Sequence, residues 1–314
     1  MKIGLLIDPL RTLAVHKDTS CRLAAEAERR NAEIFYFTLE DIFLEGEQVK
    51  ASGCYVSFDA GKGLSNSVRY LNRDVINLKE LDVLLIRKDP PVTSTHISIL
   101  YLLELLENDV LMINAPRAIR NGHSKLQTLK FPQFLPEQLI ASNIDQISKF
   151  IEKHKDIIVK PLNGMGGSGV VRLKPGDKTT KSLLQTMERA YGYPLIAQKF
   201  IKESVEGEKR IFLFDGDICG AIVKKPAKDD FRGNITAGAT IKKAILSETD
   251  KEICETLKPY LKERGLFFVG LDLIGPYLIE INSISPGAIS LANTVLKQPL
   301  EEIFWDKIER KLKA

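Results

Sequence analysis

Cysteine and histidine are scarce in this chain, with four of each among 314 residues. Cys21, Cys54, Cys219 and Cys254 stand far apart without paired spacing, and the histidines are scattered, with no His-Glu-x-x-His helix. A zinc site needs clustered ligands and a disulfide framework needs paired thiols. Both are excluded, and reduced thiols in a cytoplasm are expected. An excess of one charge is also lacking, since 45 basic against 41 acidic residues leave a formal +4. That balance mildly favours anionic small molecules and gives no reason to expect nucleic acid. Long apolar runs are absent too. The first, residues 3–7, is stopped by Asp8-Pro9, too short for a signal peptide or a membrane span. A soluble protein with a buried first strand is expected. No internal repeat, no low-complexity tract and no G-x-x-x-x-G-K-[ST] phosphate loop occurs.

What is present is ordinary globular material, 44% hydrophobic and 27% charged, long enough for two or three packed subdomains. Up to about Asn121, strand-like runs (3–7, 33–37, 83–86, 110–113) alternate with helix-like ones (20–30, capped by Asp18 or Ser20, and 100–106). This alternation predicts an α/β domain with a parallel sheet covered by helices. Ligands bind beyond the carboxyl ends of such strands, where Asp8-Pro9 and Arg87-Lys88-Asp89-Pro90-Pro91 stand. After Asn121 the pattern becomes α+β. Hairpins are predicted for 157–159 with 170–174, for 209–214 with 218–224 around Asp215-Gly216, and for 267–274 with 277–281 around Gly275-Pro276. Residues 225–239 read as a long polar loop, and 302–312 as an amphipathic helix carrying Trp305.

Three features could carry chemistry. Gly164-Met165-Gly166-Gly167-Ser168-Gly169 matches G-x-G-x-x-G, but Val170-Val171-Arg172-Leu173 then continues as a strand. A dinucleotide fingerprint must open a helix, so the cluster reads as a hairpin flap whose bare N–H groups can fold over phosphates, or as a plain turn. Lys160 ends the strand before it, placing a point charge beside the flap. Asp272 and Glu280 sit inside apolar strand sequence on the two arms of one tight hairpin, with Asn282 two residues beyond. Period-2 geometry lets all three face one side. Such a set of oxygen donors suits Mg²⁺; the alternative is a pair of carboxylates salt-bridged to lysine or arginine. The strand end Gln198-Lys199-Phe200-Ile201 could present backbone groups to an adenine, though solvated charges explain it equally well.

Taken in order, Asp8-Pro9, Arg87-Lys88-Asp89-Pro90-Pro91, the run from Lys160 through Pro161, Gly164 and Gly167, Arg232-Gly233-Asn234, Gly270-Leu271-Asp272 and Glu280-Ile281-Asn282 resemble the ATP-grasp superfamily. Within it, the chain resembles the prokaryotic glutathione synthetase family along nearly its whole length. The resemblance implies a Rossmann-like pre-ATP-grasp, substrate-binding domain (1–121), a small ATP-grasp subdomain with the glycine flap (122–203) and a C-terminal ATP-grasp subdomain with the metal site (204–314). Lys125 and Lys160 would bind the ATP phosphates under Gly164, Gly166 and Gly167. Gln198, Lys199, Phe200 and Ile201 would meet the adenine, Glu208 the ribose, and Arg210 the phosphates. Asp272, Glu280 and Asn282 would hold two Mg²⁺ or Mn²⁺ ions, while Arg232 and Asn234 on a closing loop act at the reacting centre.

The implied chemistry is ATP-dependent joining of γ-glutamylcysteine and glycine through an acyl phosphate, by a cytoplasmic homo-oligomer, a tetramer, without nucleic-acid or membrane partners. Departures from the family pattern fall at Lys224-Lys225-Pro226, Ser283-Ile284-Ser285-Pro286-Gly287 and Ala288-Ile289-Ser290-Leu291, all towards the acyl donor and acceptor. Arg87 and Ser285 are the expected substrate contacts. Two other readings stay open: a ligase of the same type for another carboxylate and amine, and a nucleotide-binding homologue without catalysis.

Overall fold

The structure is a computed structural model, and it describes residues 1–58, 68–164, 167–192, 194–227, 233 and 238–313. Its first sheet is built from β1 (Lys2–Leu6), β2 (Glu33–Phe37), β3 (Ile42–Glu45), β4 (Gln48–Ser57), β5 (Arg69–Asn77), β6 (Val83–Ile86) and β7 (Leu111–Ile113). Strands β2-β1-β6-β7 run parallel, as expected for a doubly covered sheet. The parallel sheet expected from the sequence is extended at its other edge by an antiparallel ribbon the sequence did not reveal, in which β3, β4 and β5 pair antiparallel and β4 joins β2 antiparallel. This ribbon was hidden because β5, Arg69-Tyr70-Leu71-Asn72-Arg73-Asp74-Val75-Ile76-Asn77, is exposed along most of its length and carries no apolar alternation.

Helix α1 (Thr19–Arg29) is capped by Asp18, whose carboxylate accepts from the backbone N–H of Ser20 and Cys21. Such a cap stabilises a helix by about 1 kcal/mol. Helix α2 (Ser94–Glu104) begins earlier than the apolar run suggested, capped by Thr93, and α3 (Pro116–Asn121) follows β7.

The second sheet, β8 (Gln138–Ala141), β9 (Ile157–Pro161), β10 (Val171–Leu173) and β11 (Leu195–Lys199), is antiparallel in the order β10-β9-β11-β8. Helices α4 (Ile144–His154) and α5 (Thr180–Tyr191) close a separate apolar core over it, around Ile147, Ile157, Val159, Leu184 and Leu195.

The third sheet holds β12 (Glu208–Phe214), β13 (Asp217–Lys225), β14 (Thr240–Lys243), β15 (Phe268–Ile274) and β16 (Tyr277–Asn282), ordered β14-β13-β12-β15-β16. All three hairpins read from the sequence are there, β9–β10 in the second sheet and β12–β13 and β15–β16 in the third. Asp215 (φ +51°) and Gly216 (φ +78°) supply the two left-handed residues that a two-residue turn requires. Helices α6 (Glu248–Glu263), α7 (Ile289–Leu296) and α8 (Leu300–Leu312) complete the chain.

The first and third sheets share one core, in which Leu5, Val83 and Leu85 meet Phe212, Phe214, Phe268 and Phe304. Helix α8 locks onto α1. Trp305 is fully buried there and donates from Nε1 to the Leu23 carbonyl at 2.7 Å, while Arg30 meets Asp306 and Glu309. The second sheet packs through its own core and leaves a cleft where it faces the other two.

Candidate active site

The cleft, about 840 Å³, is walled by the flap side of the second sheet, one face of the third sheet, and segments 89–92 and 283–287. Its floor follows from strand register. Asp272 on β15 lies directly opposite Glu280 on β16, and Arg210 on β12 lies opposite Asp272. Glu208, two residues before Arg210, shares its face, and Lys224 on β13 stands opposite Glu208. Gly270 keeps the surface clear, since a Cβ there would come within 3.1 Å of the Arg210 side chain.

These residues form a row of alternating charge. Lys224 Nζ meets Glu208 Oε1 at 2.5 Å, and Arg210 forks onto Asp272 at 2.5 and 2.7 Å. Lys125 Nζ reaches Glu280 at 3.3 Å and donates to the Gly164 carbonyl at 2.7 Å, tying the floor to the base of the flap. Asn282 Nδ2 donates to Asp272 Oδ2 at 2.9 Å, which leaves its amide oxygen available as a donor to a cation.

Crowding sets the protonation states. Burial works against ionised Asp272, yet the Arg210 charge holds its carboxyl below the usual range. Burial and then the Asp272 charge push Glu208 up, against the pull of Lys224. Burial lowers Lys160 to about 8, partly offset by Glu280. Lys224 stays above its ordinary value despite burial, because Asp272 and Glu208 both favour its charge.

Lys160 lies within β9, one residue before the strand ends, and only 7% of it is exposed. The glycines after it are sterically constrained; at Gly164 a Cβ would come within 2.6 Å of the Pro161 ring. Gly169 has φ +71°, and a Cβ there would meet the Tyr191 ring at 2.8 Å. Gly164 and Gly167 line the cleft, while Gly166 lies outside the described residues, as do Arg232 and Asn234.

At the other end, Gln198, Lys199, Phe200 and Ile201 also line the cleft. Gln198 Nε2 donates to Gln138 at 2.8 Å, and the Lys199 ammonium turns outward to Glu137 at 2.9 Å. The Phe200 N–H donates to the Asp156 carbonyl at 2.9 Å, and the Arg172 guanidinium lies 3.6 Å over the Phe200 ring. Asp156 holds Arg172 in that position with two hydrogen bonds of 2.8 and 2.6 Å.

The structure thus gathers Lys125, Lys160, Gly164, Gly167, Gln198, Lys199, Phe200, Ile201, Glu208, Arg210, Asp272, Glu280, Asn282 and Ser285 around one space. Arg87, expected there as a substrate contact, is not among its walls. It is 3% exposed, donates to Ser20 Oγ and to the Pro286 carbonyl, and lies against the Phe268 ring. The strand end at 83–86 points the right way, but segment 283–287 folds over the side chain. Sequence reasoning also missed Lys224 as a wall residue and Ser283, buried and held by Asn114 and Gln127. Lys224 left no readable signal, because it comes opposite Glu208 only through the bulge between Phe212 and Leu213.

The donor set fits a hard divalent cation. Two carboxylates and the Asn282 amide share one strand face, and among the described residues no group of three or more His, Cys, Asp or Glu is clustered to hold a metal. A site of that kind suits an ion shared with phosphate oxygens.

Family models match the chain in two blocks: the prokaryotic glutathione synthetase N-terminal domain over residues 1–120, and the ATP-grasp domain of the same enzymes over residues 124–296. The chain belongs to the prokaryotic glutathione synthetase family. It is 37% identical over 316 residues to the glutathione synthetase of Wigglesworthia glossinidia brevipalpis, covering 99% of this chain and 98% of that protein. It is equally 37% identical over 316 residues to that of Vibrio cholerae serotype O1, covering 100% and 99%. Among solved structures, the macrocyclase MdnC bound with precursor peptide MdnA from Microcystis aeruginosa superposes with a TM-score of 0.65 at 15% identity, covering 99% of this chain and 100% of that one. That likeness concerns the fold. The chain is an ATP-dependent, peptide-bond-forming ligase of a family that uses a divalent metal. Among the described residues no helix is long and apolar enough to cross a membrane.

Proposed function

We propose that this enzyme joins γ-glutamylcysteine to glycine, forming glutathione with release of ADP and phosphate. The full-length match to glutathione synthetases carries the substrate pair, and the row Lys224–Glu208, Arg210–Asp272, Glu280–Lys125, with Lys160, Gly164 and Gly167 lining the same cleft, supports the nucleotide and metal half of the reading. Two acids and an amide stand ready for cations, and four basic groups for a triphosphate.

In this reading the adenine rests against Gln198, Lys199, Phe200 and Ile201, and Glu208 receives the ribose hydroxyls. Lys125 and Lys160 turn to the phosphates, and Arg210 keeps Asp272 ionised while adding positive charge beside the γ-phosphate. Asp272, Glu280 and Asn282 would hold two Mg²⁺ ions, which would supply charge neutralisation for the phosphoryl group. The C-terminal carboxylate of γ-glutamylcysteine attacks the γ-phosphorus, the β–γ bridging bond breaks, and ADP leaves with the bridging oxygen. The glycine amine then attacks the acyl carbon, loses a proton, and phosphate departs. A carboxylate anion repels a triphosphate, so the fixed cations are what make the first step accessible. The flap and the loop bearing Arg232 and Asn234 keep water from the acyl phosphate, with both residues acting at the reacting centre; their assignment rests on the family pattern.

The same reading divides the chain into a substrate-binding domain (1–121), a flap-bearing ATP-grasp subdomain (122–203) and a metal-binding subdomain (204–314), in a cytoplasmic homotetramer. Ser285 is a substrate contact. Coupled phosphate release with ATP, Mg²⁺, γ-glutamylcysteine and glycine tests the substrate pair. Stoichiometric glutathione and phosphate are expected. Turnover only with a different carboxylate or amine would retain the reaction class and overturn the pair, and nucleotide binding without turnover would leave a non-catalytic homologue.

A further inference from the structure

Segment 283–289 follows the metal-binding strand directly, and the N-terminal half of the chain pins it at successive points. Asn114 Nδ2 donates to the Ser283 carbonyl at 2.6 Å, and Gln127 Nε2 to Ser283 Oγ at 3.1 Å. Arg87 Nη2 donates to the Pro286 carbonyl at 2.7 Å, and Ser285 Oγ donates back to the Arg87 carbonyl at 3.3 Å. The Ile289 N–H donates to Thr19 Oγ1 at 3.3 Å. Ala288 sits in the left-handed region at φ +78°, a conformation an alanine keeps only when its surroundings impose it.

Arg87 is the one charged member of these pins. Its partners are the Ser20 hydroxyl at 3.0 Å, the Pro286 carbonyl and the face of Phe268, with its guanidinium carbon 5.1 Å from the ring centroid. No carboxylate lies within ion-pairing distance among the described residues. Asp18 and Asp89 act on it only as more distant charges, and burial lowers its pKa to about 10. A buried guanidinium without a counter-charge is costly and ordinarily avoided. Here it lies directly behind Pro286 and Gly287, which face the cleft. The nucleotide and metal groups occupy the other two walls, so this third wall remains for the substrate that is not ATP. γ-Glutamylcysteine carries two carboxylates and one ammonium group, whereas glycine carries one of each, so an uncompensated positive charge favours the former.

We infer that Arg87 is the positioning residue of the γ-glutamylcysteine wall: it shapes segment 283–287 through Pro286 and supplies the positive potential that selects an anionic peptide substrate there. It acts through the segment and does not touch the substrate. The inference rests on the substrate pair proposed above.

The test is steady-state kinetics on Arg87→Met and Arg87→Lys, with KM measured separately for ATP, γ-glutamylcysteine and glycine, and melting temperatures alongside. Arg87→Met should raise KM for γ-glutamylcysteine by about tenfold or more and leave KM for ATP within about threefold. Arg87→Lys, which keeps the charge and one donor, should recover a good part of the loss, a result that a purely structural role would not give. Equal effects on ATP and γ-glutamylcysteine, an unchanged KM, or a lysine variant as impaired as the methionine one would overturn the inference. If Arg87→Met does not fold, Ser20→Ala takes its place, because it removes one group that aims the guanidinium and keeps the charge. About a threefold rise in the same KM is expected from it, and no rise would overturn the inference. Wild-type enzyme inactive on γ-glutamylcysteine and glycine would instead overturn the substrate assignment, so the two failures are distinguishable.

Discussion

Asp272 and Glu280 face each other across one β-hairpin, yet each is held by a different cation, Asp272 by Arg210 and Glu280 by Lys125. The two carboxylates differ in depth: Asp272 is 5% exposed and Glu280 24%, while their partners Arg210 and Lys125 are 14% and 6% exposed.

Substitution should therefore separate chemistry from stability. Glu280→Gln should lower kcat by about a hundredfold or more through loss of a cation ligand, with a loss of stability of only about 1 kcal/mol, because the carboxylate is partly exposed and Lys125 keeps its hydrogen bond to the Gly164 carbonyl. Asp272→Asn should lower kcat as strongly and also destabilise the fold by about 3 kcal/mol, because Arg210 is left buried without its counter-charge. Denaturant titrations of both variants check the contrast, and equal stability would contradict it.

Lys160 should report nucleotide binding through a proton. Burial lowers its pKa to about 8 in the free enzyme. A triphosphate beside it favours the charged form and raises that value, so binding above neutrality takes up a proton. The sign is fixed: nucleotide affinity should fall as pH rises through about 8, and near that pH about half a proton should be absorbed per nucleotide. Calorimetry in two buffers of different ionisation enthalpy measures the uptake. Lys160→Arg should abolish it, and persistence of the uptake in that variant would remove Lys160 from the role.

The brace behind Phe200 should act on ATP alone. Asp156 fixes Arg172 by two hydrogen bonds, and Arg172 stacks on the ring that borders the adenine end. Arg172→Met should raise KM for ATP several-fold, with kcat and the other KM values nearly unchanged, since a guanidinium–aromatic stack at an exposed site contributes about 0.5–1 kcal/mol. A change confined to kcat would contradict this.

Much of the site was legible because hairpins leave strong local marks. Asp215-Gly216 and Gly275-Pro276 mark the turns, and a bulge in each hairpin, at Phe212/Leu213 and at Asp272/Leu273, then shifts the register so that Lys224 stands opposite Glu208 and Glu280 opposite Asp272. What was not legible depends on distant segments. Arg87 stands at a strand end, where a ligand-binding residue is expected, but the covering segment comes from residues 283–287, far along the chain. The antiparallel edge of the first sheet escaped because β5 is mostly exposed and polar, so backbone pairing with β4 defines it and side-chain pattern does not. β8 is similar, with only Ala141 buried.

Helix α8 should behave as part of the core shared by the first and third sheets. Trp305→Ala removes a fully buried side chain and its hydrogen bond to the Leu23 carbonyl, and should cost about 3–5 kcal/mol. Chemical denaturation followed by far-UV circular dichroism measures it. A loss below about 1 kcal/mol would mean that α8 is peripheral.

Metal-dependent nucleotide binding tests the central arrangement most directly. Calorimetric titration of the wild-type enzyme with a non-hydrolysable ATP analogue should show binding that strengthens by about tenfold or more when Mg²⁺ replaces chelator. In Glu280→Gln most of that gain should vanish while metal-free binding persists. Wild-type affinity that is the same with and without Mg²⁺ would contradict the reading of Asp272, Glu280 and Asn282 as the residues that hold cations against the triphosphate.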